Sequence, residues 1–154
     1  VFASALLLVH LVSFAAYLGA GFAQLQLMKR SRAAGIAPEV RADREALAAG
    51  IITKIELPAI IGSIASGAGF IAQNPALMKL GWLHGKLLCV LLLTILSHAE
   101  MFNARKIVKA RAARGDAAHD EIEERKKRHA IFGGIGSLLV VVILVLVTFV
   151  RLGG

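Results

Sequence analysis

The chain has 154 residues, of which 57% are hydrophobic and 18% charged, and this is far too apolar for an ordinary soluble domain. Eighteen Lys and Arg against ten Asp and Glu give a formal charge of +8, but in so apolar a chain the excess marks the cytoplasmic side of a membrane and no nucleic-acid partner is expected. The single cysteine, Cys89, excludes an intramolecular disulfide and a cysteine-based zinc site.

In chain order, four apolar runs cover residues 2–28, 51–72, 82–102 and 130–150, each at or above the roughly 18 to 20 residues that cross a bilayer core. The chain opens on Val1, so the outer end of the first span is set only approximately. That run exceeds a signal-peptide core of ~7 to 15 residues and lacks a basic leader, so it counts as a span. The fold expected is all-α: a single integral membrane domain, residues 1–154, built as a four-helix bundle. The connection 29–50 carries Lys29, Arg30, Arg32, Arg41 and Arg44, and the connection 103–129 carries nine further cations, so the two hold 14 of the 18. These connections are expected in the cytoplasm and both termini on the other side, with Lys79 and Arg151, in a bacterial plasma membrane. The short link 73–81, with Pro75, predicts that the second and third spans pair as an antiparallel hairpin. In the second connection Asp120, Glu121, Glu123 and Glu124 precede Arg125 to Arg128 at helical spacing, which favours helical extensions beyond the spans.

Ionisable groups inside spans are costly and mark candidate functional positions. Here they are His10, Lys54, Glu56, Lys86 and His98, with His84, Glu100 and His129 at span edges. His84 and His98 are 14 residues apart, which returns a helix to within about 40° of its starting direction after about 21 Å. Two stacked haems b in a membrane cytochrome are held by histidines at this spacing, each haem taking a second imidazole from another helix. His10 is the natural partner of His84, and His129 is the remaining one for His98, so one or two haems b are expected. Small residues at Gly62, Ser63, Ala65, Ser66, Gly67, Ala68 and Gly69, and at Gly133, Gly134, Gly136 and Ser137, suit either a porphyrin against the backbone or close helix packing. His10 also suits an interhelical hydrogen bond, and His84, after Trp82, an anchor at the headgroups. Lys86 and Glu56 are the candidate catalytic residues. Lys86 suits snorkelling, a propionate or a substrate pocket, whereas Glu56, beside Pro58, suits pairing with Lys54 or Lys106, or proton transfer. His119, in the charged connection, reads as solvated.

The run Trp82-Leu83-His84-Gly85-Lys86-Leu87, followed by Val90, Leu93 and His98, resembles the third-span pattern of the HemJ family of membrane protoporphyrinogen IX oxidases, which are related in architecture to the CopD-type copper-resistance domain. His10 with Tyr17, Gly19 and Gly21, and Leu57-Pro58-Ala59, extend the resemblance over most of residues 6–110. It implies a haem b on His10, with His84, Lys86 and His98 needed for binding or chemistry. Tyr17 and Gln26 replace the Trp and Arg usual in that family's first span, and Arg128-His129-Ala130-Ile131-Phe132-Gly133-Gly134 replaces its polar, proline-containing start of the fourth. Such departures suit a relative specialised for electron transfer. The leading expectation is therefore a haem b redox protein in the lipid bilayer, taking electrons from a porphyrinogen, a quinol-like reductant or a redox partner, as a homodimer or within a larger complex. The alternatives are a haem-free accessory subunit, and CopD-like copper handling through His10, His84 and Met78. The absence of a Met- or His-rich outer segment weighs against copper.

Overall fold

The computed structural model describes residues 1–150; Arg151, expected on the outer side, lies outside the described residues. The described chain is all-helical: α1 (Phe2–Arg30), α2 (Pro38–Ile51), α3 (Leu57–Gln73), α4 (Gly81–Arg114) and α5 (His119–Val145). One π-helical turn, Ile52–Glu56, joins α2 to α3, and 3-10 turns Pro75–Lys79 and Gly115–Ala118 precede α4 and α5. Three continuous helical stretches are long and apolar enough to cross a membrane: Phe2–Arg30, Pro38–Gln73 and Gly81–Phe149. The last folds back at Gly115, whose φ of 53° suits a residue without Cβ. Beyond this reversal Asn103 Nδ2 donates to Arg125 O at 2.8 Å, Leu93 meets Gly136, and Leu146 meets Gly85, so α4 and α5 run antiparallel. Their outward faces, Leu88, Leu91 and Ile95 on α4 and Leu138, Val141 and Leu144 on α5, are exposed, as are Leu7, Leu8, Leu11 and Val12 on α1. Apolar surface this continuous is matched by lipid rather than water.

α1 packs chiefly on α3 and α4 chiefly on α5, whereas α3 touches α4 sparsely. The hairpin expected from the short link is thus only sparsely packed, because the small residues of α3 turn toward α1. Gly62, Ser66 and Gly69 face Ser13, His10 and Leu6 of α1, and a Cβ on Gly62 would stand 2.6 Å from Ser13 Oγ. Gly133 of α5 similarly accommodates Leu25 of α1. Both stripes bring neighbouring helices into close approach. A Gly62→Val substitution is expected to destabilise the protein in detergent by about 1–3 kcal/mol through overpacking against Ser13, measured as a lower thermal midpoint, while Gly19→Val, where nothing lies within 4 Å, changes little.

The 29–50 connection, expected as a cytoplasmic loop between two spans, is mostly helix. A turn through Gly35 (φ 75°) leads to Pro38 at the first turn of α2, with Glu39 beside it, a start that fits the helix N-terminus in backbone and charge. α2 carries Glu45, fully buried, onto Arg111 of α4 by two bonds of 3.0 Å and onto Lys126 Nζ of α5 at 2.7 Å. Glu45 holds the Arg111 guanidinium above its ordinary value. Around this triad, Lys126 also reaches Glu123 at 3.1 Å, and Arg32 reaches Glu123 at 2.9 Å.

Glu121 is held below the usual carboxylate range by bonds from Arg114 and Arg125. Burial pushes Glu123 up, but the bonds from Lys126 and Arg32 outweigh it and leave it low. A carboxyl held low in the folded state stabilises above its unfolded pKa and loses that contribution as pH falls through the folded value. Lowering the pH from 7 to below about 4 is thus expected to loosen the charged end first. Hydrogen exchange should rise in residues 115–128 before it rises in the apolar segments.

Candidate functional site

His10, half-buried on α1, lies against α3: its Nδ1 donates to Ser63 O at 3.0 Å and to Ser66 Oγ at 2.9 Å, while Ser66 Oγ donates to Gly62 O at 2.7 Å. Phe70 meets the ring edge to face, with centroids 6.0 Å apart, and Gly67 leaves space by Cε1. With its proton on Nδ1, the imidazole keeps a lone pair on Nε2. A carbonyl bond to the far nitrogen is the usual way a protein orients a metal-binding imidazole, so the donor chemistry fits a haem axial ligand. Lys86 of α4 lies close enough for its charge to act on this ring.

The other histidines do not converge on His10. His84 is exposed and its Nε2 donates to Met78 O at 2.7 Å, which ties the start of α4 to the preceding turn and leaves Nδ1. His98 Nδ1 donates to Thr94 O at 2.8 Å on its own helix and leaves Nε2. His129 is fully enclosed, with Nε2 donating to Gln24 Oε1 at 2.5 Å. The α1–α4 register follows from Tyr17 OH, 3.3 Å from Ser97 Oγ, and from Gln24 beside Glu100. On that register, at ~1.5 Å per residue, His10 stands nearer the level of His84 than that of His98. Among the described residues there is no group of three or more His, Cys, Asp and Glu fit to hold a metal ion.

Glu56 belongs to a second cluster. Pro58 has no N–H to give to the carbonyl four residues back, and Leu57 N–H instead bonds Ile52 O, five back, which makes the π-helical turn. This bulge leaves Glu56 1% exposed, beside Ser97 and Gln24. Glu100, on the next turn of α4 from Ser97, neighbours both Glu56 and Gln24. The expected pairing of Glu56 with Lys54 or Lys106 is not made: both lysines are exposed, and no ion pair involves Glu56 among the described residues. Gln24 and Ser97 complete the cluster without being ionisable, and their only mark in the sequence is an uncharged polar residue within an apolar run. His119 is exposed, as its sequence context implied.

No protein-family model, curated protein or solved structure matches the chain.

Proposed function

We propose that the chain is a four-helix bundle of the bacterial plasma membrane that holds haem b at His10 and transfers electrons. The continuous helix Gly81–Phe149 counts as two crossings because it folds back at Gly115. The basic connections then lie in the cytoplasm and both termini outside. The observation that carries the haem assignment is His10 itself, with Nδ1 committed to Ser63 and Ser66 and Nε2 left as a donor. The similarity of Trp82 to Leu87 and His98 to the HemJ pattern supports it.

When bound, haem b supplies reversible one-electron chemistry whose potential depends on axial ligands and surroundings. The chain's residues orient and neutralise. Ser63 and Ser66 hold the His10 ring, Lys86 offers a cation for a propionate or an anionic substrate, and His84 is the second-ligand candidate nearest in level. Apolar helix faces give lateral access to a quinol or porphyrinogen dissolved in the bilayer. His98 is a further ligand candidate, half-buried and tied to its own helix. His129, enclosed and bonded to Gln24, fits the carboxyl cluster better than an axial position.

The test is the reduced-minus-oxidised visible spectrum of the purified chain, with a pyridine haemochrome to count haems per protein. One b-type haem per chain is expected. Two would favour a ladder through His84 and His98. None, after expression with haem supplied, would overturn the assignment and leave the accessory-subunit alternative, which the exposed Leu7, Leu8, Leu11 and Val12 of α1 suit.

A further inference from the structure

At the end of the bundle nearer the charged connections, four elements bring polar groups into one enclosed layer. α1 contributes Gln24, with Tyr17 above it; the π-helical turn contributes Glu56; α4 contributes Ser97 and Glu100; α5 contributes His129. Gln24, Glu56, Ser97, Glu100 and His129 are each at most 5% exposed. Three of their atoms have no hydrogen-bond partner: Glu56 Oε2, Glu100 Oε1 and His129 Nδ1. Buried polar atoms are nearly always satisfied, so three orphans in one layer mark something the protein atoms alone do not provide.

The chemistry of the orphans identifies it. His129 donates through Nε2 to Gln24, so its Nδ1 is an acceptor, and a carboxylate oxygen is an acceptor too. The layer is therefore short of hydrogen. Neither carboxyl has a cation in an ion pair among the described residues, and Lys126, one turn before His129, is committed to Glu45 and Glu123. Two neighbouring carboxylates in a medium of low dielectric, with only the neutral donors Gln24 and Ser97 beside them and no cation, repel each other strongly. A bound metal ion is disfavoured because no group of three or more ligating His, Cys, Asp and Glu occurs among the described residues. A proton removes the repulsion and converts one acceptor into a donor at once.

We propose that Glu56 and Glu100 form a proton-binding site in which the pair holds an exchangeable proton, with Gln24 linking the pair to His129. On the helix side toward the charged layer, Asn103 follows Glu100 by one turn and bonds the backbone of α5 at Arg125, so the site adjoins the polar end of the bundle. Transfer is simple in balance: the O–H bond of one carboxyl breaks as an O–H bond to the other forms, and no oxidant or reductant is involved. The site does not depend on the haem assignment.

Infrared difference spectroscopy of the full chain in liposomes, stepped in pH, tests this. The expected result is a C=O band of a protonated carboxyl near neutral pH that shifts in D2O, disappears at alkaline pH and is unaffected by exchanging Na⁺ for K⁺. It should be lost in the Glu56→Gln/Glu100→Gln double variant, and either single variant should displace the pH midpoint of the remaining carboxyl. An absent band, a band that persists in the double variant, or single variants with the wild-type midpoint would overturn the shared proton. A band removed by Na⁺ at constant pH would overturn it in favour of a metal cation. Haem-free protein should behave as the holoprotein does, so failure here is distinguishable from failure of the redox assignment.

Discussion

Replacing Glu45 by alanine is expected to destabilise the protein by about 3–5 kcal/mol, the range for removing one partner from a buried ion pair. Glu45 is fully buried and meets Arg111 through two bonds of 3.0 Å and Lys126 through one of 2.7 Å. Without it, Lys126 keeps only Glu123, which is partly exposed, and Arg111 keeps Asp116, which is mostly exposed. Two cations then remain desolvated at the junction of α2, α4 and α5. Thermal or SDS-titrated unfolding in detergent, followed by circular dichroism, measures the loss. The triple variant Glu45→Met/Arg111→Met/Lys126→Met separates charge from packing: removing every charge together is expected to leave stability near wild type or above it. A triple variant as unstable as Glu45→Ala would show that the ions hold the junction by geometry that apolar side chains cannot replace.

The second large effect is on cofactor content. His10→Ala is expected to abolish haem binding, because the ring is held through Nδ1 by Ser63 and Ser66 of a neighbouring helix and keeps Nε2 as the donor. Haem per chain by pyridine haemochrome measures this, and full occupancy in the variant would sink the ligand assignment. Ser66→Ala removes one of the two groups that hold Nδ1 while Ser63 O remains, so it should keep the haem and shift its potential. His84→Ala and His98→Ala identify the second ligand by which of them alters the reduced spectrum. His129→Gln is expected to leave haem content unchanged, since that ring lies in the carboxyl layer, bonded to Gln24.

The apolar helices were legible because each run is long and nearly free of charge, and the helical character of residues 105–128 because Glu121 and Arg125, and Glu124 and Arg128, stand at i, i+4 and pair in the structure. The role of Glu45 was not legible. It sits among Arg41, Asp43 and Arg44 in a charged connection outside the spans, and only the approach of α4 and α5 encloses it. The glycine stripes were ambiguous for a different reason: a small residue leaves room without stating what fills it, and Ser13, Leu6 and Leu25 fill it here. Pro58 signalled a backbone irregularity near Glu56, yet not that the π-helical turn would enclose the carboxyl beside Gln24 and Ser97.

By itself the sequence determined the class of molecule, since hydropathy, run length and helical period are local properties of the chain in a solvent of given polarity. It also supplied His10, Lys86 and Glu56 as residues too polar for their surroundings. The tertiary structure alone decided that α1 pairs with α3 and α4 with α5, that α2 caps the charged end through Glu45, and that Glu56 lies beside Glu100 and Gln24 rather than a lysine. The reason is register: whether two polar atoms far apart in sequence meet depends on the axial offset and rotation of whole helices, which packing sets and neither segment encodes alone.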